Sequence, residues 1–323
     1  MSEGQISYNR FKKIGEKIAK RAEKMSLPFF DGVPLYDVAM FFWRSIVDGA
    51  ITTRASAIAF SFFIAFFPSL IFIFTLIPYI PIDNFQQELL LIIEQIVPES
   101  TYNTIDETVT DIITQPRSGL LSLGFFLALI FATNGLASMM SAFDATIHSI
   151  YRRTWVSQRL TAILLLFILL ILLTVAIALL TGGQVFINYL DTFDFIRDKF
   201  ILHLLVVVKW IITVAMFFFA YAFLYYMAPA KKTQWRFISA GGTLATILSI
   251  ITLIAFTYYI NNFGQYNKLY GSIGTLLIIL LLMYIMSLIL LVGFELNASI
   301  YQAHTTPRHK STFDKWLKGE FKY

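Results

Sequence analysis

Apolar runs too long for a soluble core helix recur along this chain, Leu160–Leu180 and Leu276–Val292 among them, and the polar stretches between such runs alternate in charge. A run of ~18 or more apolar residues reads as a membrane-crossing helix, because inside hydrocarbon the backbone must satisfy its own polar groups. The stretch 82–118 carries Asp83, Glu88, Glu94, Glu99, Asp106, Glu107 and Asp111 against Arg117. The next loop carries Arg152, Arg153 and Arg159, the following one Asp191, Asp194 and Asp198, and the one after that Lys231, Lys232 and Arg236. Cytoplasmic loops retain Lys and Arg, so the alternation predicts both span count and orientation. Six spans are expected, at about 50–80, 119–148, 160–188, 201–228, 237–261 and 273–300, with both termini cytoplasmic. The expected fold class is all-α, a polytopic membrane helical bundle.

Composition agrees. Of 323 residues 57% are hydrophobic and 14% charged, where soluble domains carry ~25% charged residues. One membrane domain over 50–300 is the simplest organisation, preceded by a cytoplasmic or interfacial amphipathic region (1–49) and followed by a basic tail (301–323). The net charge of +5 is spread over every segment assigned to the cytoplasm, so no nucleic-acid partner is expected. The absence of cysteine excludes disulfides and thiolate chemistry. His148, His203, His304 and His309 are scattered, which leaves no convergent metal cluster, and no Gly-rich loop cradles a phosphate. No metal or other cofactor is therefore expected. The first long apolar run begins near Ala50, too far in for a cleavable signal sequence.

Within residues 5–25, helical spacing puts Phe11, Ile14 and Ile18 on one face. That fits either a basic amphipathic helix on anionic lipid or a solvated tail. Leu35–Asp48 reads as an interfacial helix with Trp43 and Arg44 at headgroup level. In the first span Ala57, Ser61 and Ala65 form a small-residue stripe suited to an internal helix contact or to a homo-oligomer, and Pro68 marks a hinge. Two short amphipathic helices, Phe85–Ile96 and Ile105–Ile113, are expected in the outer loop.

A charge inside hydrocarbon costs at least ~2.5–3.5 kcal/mol, so each one needs a reason. Arg54, Asp144 and Glu295 lie near the cytoplasmic ends of their spans, and an Arg54–Glu295 or Arg54–Asp144 ion pair is expected. Lys209 lies deeper. It either snorkels outward or faces a polar cavity with Asn134 as a hydrogen-bonding partner. Gly182-Gly183 and Gly241-Gly242 read as packing or helix-end glycines. Tyr270, Gly271 and Gly274 read either as a helix start or as a flexible entry at the outer end of the sixth span.

Several stretches resemble signatures of the YihY/virulence factor BrkB family: Arg54-Ala55-Ser56-Ala57-Ile58-Ala59-Phe60-Ser61 through Phe67-Pro68, Asn134-Gly135, Ala142-Phe143-Asp144, Tyr226-Met227-Ala228-Pro229, Tyr266, Tyr270-Gly271-Ser272-Ile273-Gly274 and Gly293-Phe294-Glu295-Leu296-Asn297. The resemblance runs over roughly 40–300. Asp144 and Leu282 depart from it, standing where Asn and Trp are frequent. It implies a six-helix protein of the bacterial inner membrane. Members once carried the label ribonuclease BN, against which the missing metal cluster argues, and some relatives are associated with virulence and with envelope lipid or lipopolysaccharide export.

Two functions of different kinds follow as expectations. The first is a transporter or flippase-like protein for an envelope lipid or other anionic amphiphile, with Lys209, Asn134 and Glu295 along a polar path. The alternative is a non-transporting scaffold that binds envelope-assembly proteins through 82–118 or the basic termini. An enzyme is disfavoured, because no nucleophile–base pair stands out. Membrane lipids are partners in either case.

Overall fold

A computed structural model describes residues 25–26, 29–30, 32–48, 50–80, 86–87, 89–91, 110–111, 113–146, 153–191, 199–230, 238–262 and 265–305, without the side chains of 48, 180–191, 199–205, 261–262, 265–273 and 275. Among them are six helices long and apolar enough to cross a membrane, and no strand. A short helix α1 (Leu35–Asp48) precedes α2 (Ile51–Leu76), which ends in a single 3-10 turn, Ile77–Tyr79. There follow α3 (Ser118–Thr146), α4 (Trp155–Asp191), α5 (Lys199–Met227), α6 (Ala240–Asn262) and α7 (Gln265–Thr305). All but the last residue of the basic segment 5–25, the basic tail after 305 and most of the acidic stretch 82–118 lie outside the described residues, as does Gly182-Gly183 packing.

Each spanning helix packs on its neighbours in sequence, and α7 returns to α2, closing the ring; α7 also meets α3. Outward, the helices show apolar side chains such as Phe60, Ile71, Leu123, Phe126, Leu164, Phe167 and Ile171. In water this surface would be unacceptable; in lipid it is the required one.

The buried core lies toward one end, where α2, α4 and α6 begin and α3, α5 and α7 finish. Ile51, Ala55, Ile58, Met139, Phe143, Tyr225, Ala245, Leu291 and Phe294 belong to it. Arg54, Arg153 and Arg159 cluster at the same end, which is therefore the basic end. Helix α1 closes over α7 there, with Phe30, Val33 and Val38 against Ile300, while Met40, Trp43 and Val47 stay exposed.

Several expectations change. The contact face of α2 is Ala55, Ile58, Ala59 and Ala65, while Ala57 is exposed and the Ser61 hydroxyl donates to the carbonyl of Ala57 at 2.8 Å. The predicted stripe thus meets the real interface at Ala65 alone, and the glycines of the contact come from α3. A Cβ on Gly135 would stand 2.9 Å from the Phe62 ring, and one on Gly124 3.2 Å from the Phe72 backbone. Pro68 is carried inside α2 without ending it. Helix α7 starts at Gln265 and runs unbroken through Tyr270, Gly271 and Gly274, so no loop or helix start interrupts it there. Helix α4 begins at Trp155, a turn earlier than the apolar run, which brings Arg159 into the helix.

Candidate functional site

Arg54 stands in the first turn of α2 and reaches across to two helices. Its Nη2 donates to Glu295 Oε1 of α7 at 2.6 Å. Its Nη1 donates to the carbonyl of Ala142 at 2.9 Å and to Thr146 Oγ1 at 2.5 Å, both on α3. The Thr146 hydroxyl donates in turn to Glu295 Oε1 at 2.8 Å. Glu295 is 1% exposed and Arg54 14%, so this pair is a buried interaction joining α2, α3 and α7. Among the described residues Arg54 Nε, Glu295 Oε2 and Ser299 Oγ have no hydrogen-bond partner.

Asp144 takes a different partner from the Arg54 that the sequence offers it. Its Oδ1 accepts from the backbone N–H of Ala230 at 2.7 Å, just past the end of α5. Arg153 covers that same helix end: Nη1 donates to Ala228 O at 3.0 Å, and Nη2 to Met227 O at 3.0 Å and Pro229 O at 2.9 Å. The last carbonyls of a helix lack intrahelical donors and carry the negative end of its dipole, so a guanidinium suits them. Burial pulls the Arg153 guanidinium below its ordinary pKa, and the charge of Asp144 opposes that pull. An amide at position 144 could accept the same N–H bond. The carboxylate adds a charge facing Arg153.

Asn134 does not meet Lys209. Its Oδ1 accepts from Arg159 Nη1 at 2.8 Å, and the same nitrogen donates to Thr133 Oγ1 at 2.9 Å. The Arg159 guanidinium lies 5.6 Å from the centroid of the Trp155 ring, within cation–π range. Lys209 is exposed, as are all its neighbours from Val206 to Ile211. At 3.6 residues per turn it lies about 110° round α5 from the mean direction of Tyr221, Leu224, Tyr225 and Ala228. The expected Lys209–Asn134 pair is therefore replaced by Arg159–Asn134, and the polar path through Lys209, Asn134 and Glu295 is not continuous among the described residues.

The stretch Gly293–Asn297 grips the neighbouring helices. Gly293 crosses Gly241 of α6 so closely that a Cβ on Gly241 would overlap the Gly293 carbonyl, and one on Gly293 would strike the Tyr225 hydroxyl. That hydroxyl donates to Leu290 O at 2.8 Å. Phe294 stacks on Phe143 of α3, with ring centroids 3.9 Å apart and planes at 13°. Asn297 Oδ1 accepts from the N–H of Gly241 at 2.8 Å, and Ser239 Oγ accepts from that of Gly242 at 3.0 Å. Two orphan donors of the first turn of α6 are thereby capped, one of them by another helix. Sequence reasoning named Asn297 and Gly293 without a task. The signal was a small residue and an amide spaced one turn apart in an apolar helix.

Among the described residues, side chains away from that end are more exposed. Between α5 and α6 lies an open groove of about 370 Å³, lined by Trp210, Thr213 and Phe217 on one side and Ile250, Leu253, Ile254 and Thr257 on the other. Among the described residues no group of three or more His, Asp or Glu side chains is placed to hold a metal ion.

Six apolar helices tied by buried polar contacts define a multi-pass α-helical membrane protein. Within that class the chain belongs to the virulence factor BrkB family, whose sequence profile matches residues 42–316. A Bacillus subtilis (strain 168) relative bearing a ribonuclease-like name, YfkH, is 28% identical over 255 residues, covering 79% of this chain and 92% of its own. The UPF0761 membrane protein NTHI0384 of Haemophilus influenzae is 24% identical over 275 residues, 83% of this chain and 96% of that one. A UPF0761 membrane protein of Psychromonas ingrahamii is 24% identical over 295 residues, 89% and 92% of the two chains. No solved structure matches the chain.

Proposed function

We propose that this protein is a transporter or flippase-like protein of the bacterial inner membrane that takes an anionic amphiphile of the bilayer, an envelope lipid above all, through its loosely packed half. The supporting observation is an asymmetry. The basic end is closed by buried ties among α2, α3, α5, α6 and α7, whereas residues 206–211 of α5, Lys209 included, are exposed and border an open groove. A carrier that works by alternating access is closed on one side while open on the other, and the closed side here is the one whose loops carry Arg and Lys. By the charge rule that side is the cytoplasm. The reading assigns no catalytic residue. Its test is reconstitution in liposomes with a fluorescent phosphatidylglycerol and an external quencher. Faster loss of protected signal than in empty liposomes, slowed by Lys209→Ala, is the expected result, and a wild-type rate equal to that of empty liposomes sinks it.

A second reading draws on the dry seal at the basic end. With Glu295 1% exposed and tied to Arg54, no polar route crosses the described bundle, which suits a non-transporting scaffold for envelope-assembly proteins, alone or as a homo-oligomer. Lipid retention without any scrambling would favour it.

A further inference from the structure

We infer that the groove between α5 and α6 is a binding site for one anionic lipid, its acyl chain against Trp210, Phe217, Leu253 and Ile254 and its headgroup on Lys209. This inference deepens the proposed function and rests on it for the direction of lipid entry, but the site itself needs no transport. The groove's lining decides the chain. Both hydroxyls on its walls are engaged with their own helices, Thr213 Oγ1 donating to Lys209 O at 2.9 Å and Thr257 Oγ1 to Leu253 O at 2.8 Å. A guest therefore meets only hydrocarbon and ring surface, and the volume of about 370 Å³ falls within the ~300–1,000 Å³ of small-ligand sites.

Lys209 decides the headgroup. It does not line the groove itself but stands one helical turn above Thr213, which does, and is exposed; among the described residues no carboxylate pairs with it. An ammonium below the headgroup level carries the cost of a charge facing hydrocarbon, which snorkelling only partly relieves. A phosphodiester with net negative charge, drawn to the lysine with its chain in the groove, relieves it further. A zwitterionic headgroup brings its own cation and pairs less well.

Trp210 provides the readout. With Trp43, Trp155, Trp235 and Trp316 replaced by Phe, the full chain reports from the groove alone. Bilayers of phosphatidylcholine receive equal fractions of acyl-brominated phosphatidylglycerol or acyl-brominated phosphatidylcholine, and quenching of Trp210 is compared. Phosphatidylglycerol should associate about fivefold more strongly, the factor expected for one basic residue at a membrane. Lys209→Ala and Lys209→Met should bring the two lipids to parity, and Lys209→Arg should keep the preference; elution as a single helical species checks folding. Parity in the wild type, or a preference that survives both neutral substitutions, overturns the site. So does a disulfide-linked dimer from Ile254→Cys in this cysteine-free chain, which would show a second copy in the groove. A phosphatidylglycerol preference without scrambling keeps the site and removes transport, and scrambling without the preference does the reverse.

Discussion

Replacing Arg54 by Met should be among the most costly single changes in the membrane domain. Met keeps most of the apolar stem but removes the cation 2.6 Å from Glu295 Oε1 and the donors to Ala142 O and Thr146 Oγ1. Glu295, 1% exposed, is then left with the Thr146 hydroxyl at 2.8 Å. Removing one partner of a buried ion pair costs ~3–5 kcal/mol, whereas an exposed pair is worth ~0–1 kcal/mol. The 14% exposure of Arg54 places its loss toward the lower part of the first range. Glu295→Gln retains an acceptor for both donors and trades charge-assisted hydrogen bonds for neutral ones, so ~1–2 kcal/mol is expected. The double change Arg54→Met with Glu295→Met removes both charges at similar volume and should be near neutral, within ~1 kcal/mol, which makes it more stable than Arg54→Met alone by ~2–4 kcal/mol. Reversible unfolding in mixed dodecylmaltoside–SDS micelles, followed by helical circular dichroism, measures all four proteins. An Arg54→Met cost below ~1 kcal/mol, or a double change no more stable than Arg54→Met alone, would refute the claim that this pair locks α2, α3 and α7 together.

Three further changes can be read in the same unfolding assay. Gly293→Ala adds a Cβ 2.6 Å from Gly241 O and 2.8 Å from the Ala245 side chain, an overpacking expected to cost at least ~1–3 kcal/mol; wild-type stability would show that α6 and α7 do not cross there. Asn297→Ala uncaps the N–H of Gly241 and should cost ~0.5–2 kcal/mol, and Asn297→Asp, which keeps the acceptor, should recover part of it. Ala50 holds a left-handed conformation, φ 46° and ψ 42°, between α1 and α2, so Ala50→Gly should stabilise the protein by up to ~1–2 kcal/mol; destabilisation would refute that backbone geometry.

What could be read before the structure was set by one-dimensional rules. Span count and helix type follow from hydrophobic run length, and the Arg54–Glu295 contact was one of two pairings open to charges at matching depth. Asp144 was the other candidate, but it serves a helix end: which backbone donors an interhelical crossing leaves bare cannot be counted along a sequence. Asn134 was given the wrong cation because Arg159 was counted with the loop. The apolar run starts at Leu160 while the helix starts at Trp155, where an indole and a guanidinium can share the interface. Gly293 lay inside a recognised stretch, yet its partner, Gly241, is 52 residues away in sequence and is fixed only by how α6 crosses α7. The stripe of Ala57, Ser61 and Ala65, of which Ala65 alone is buried, misled for the reverse reason. Small residues permit a close approach without saying which helix makes it.

Where these ties sit also constrains which parts can move. Between apolar helices in lipid no hydrophobic force holds the bundle, so association depends on close packing and polar contacts. In this chain the ion pair, both helix-end clamps, the Phe143–Phe294 stack and the Gly241–Gly293 crossing lie at the basic end. Toward the opposite end Gly124 still seats on the Phe72 backbone, keeping α2 and α3 together, while α4 and α5 expose most of their described surface, Leu173, Val175, Ile177, Val206 and Ile211 included. Free energies of local opening follow such differences in packing. The α4–α6 side can therefore part from the α2–α3 pair at its loose end while Arg54, Glu295 and Asn297 keep their partners. Opening the basic end requires those bonds to break together.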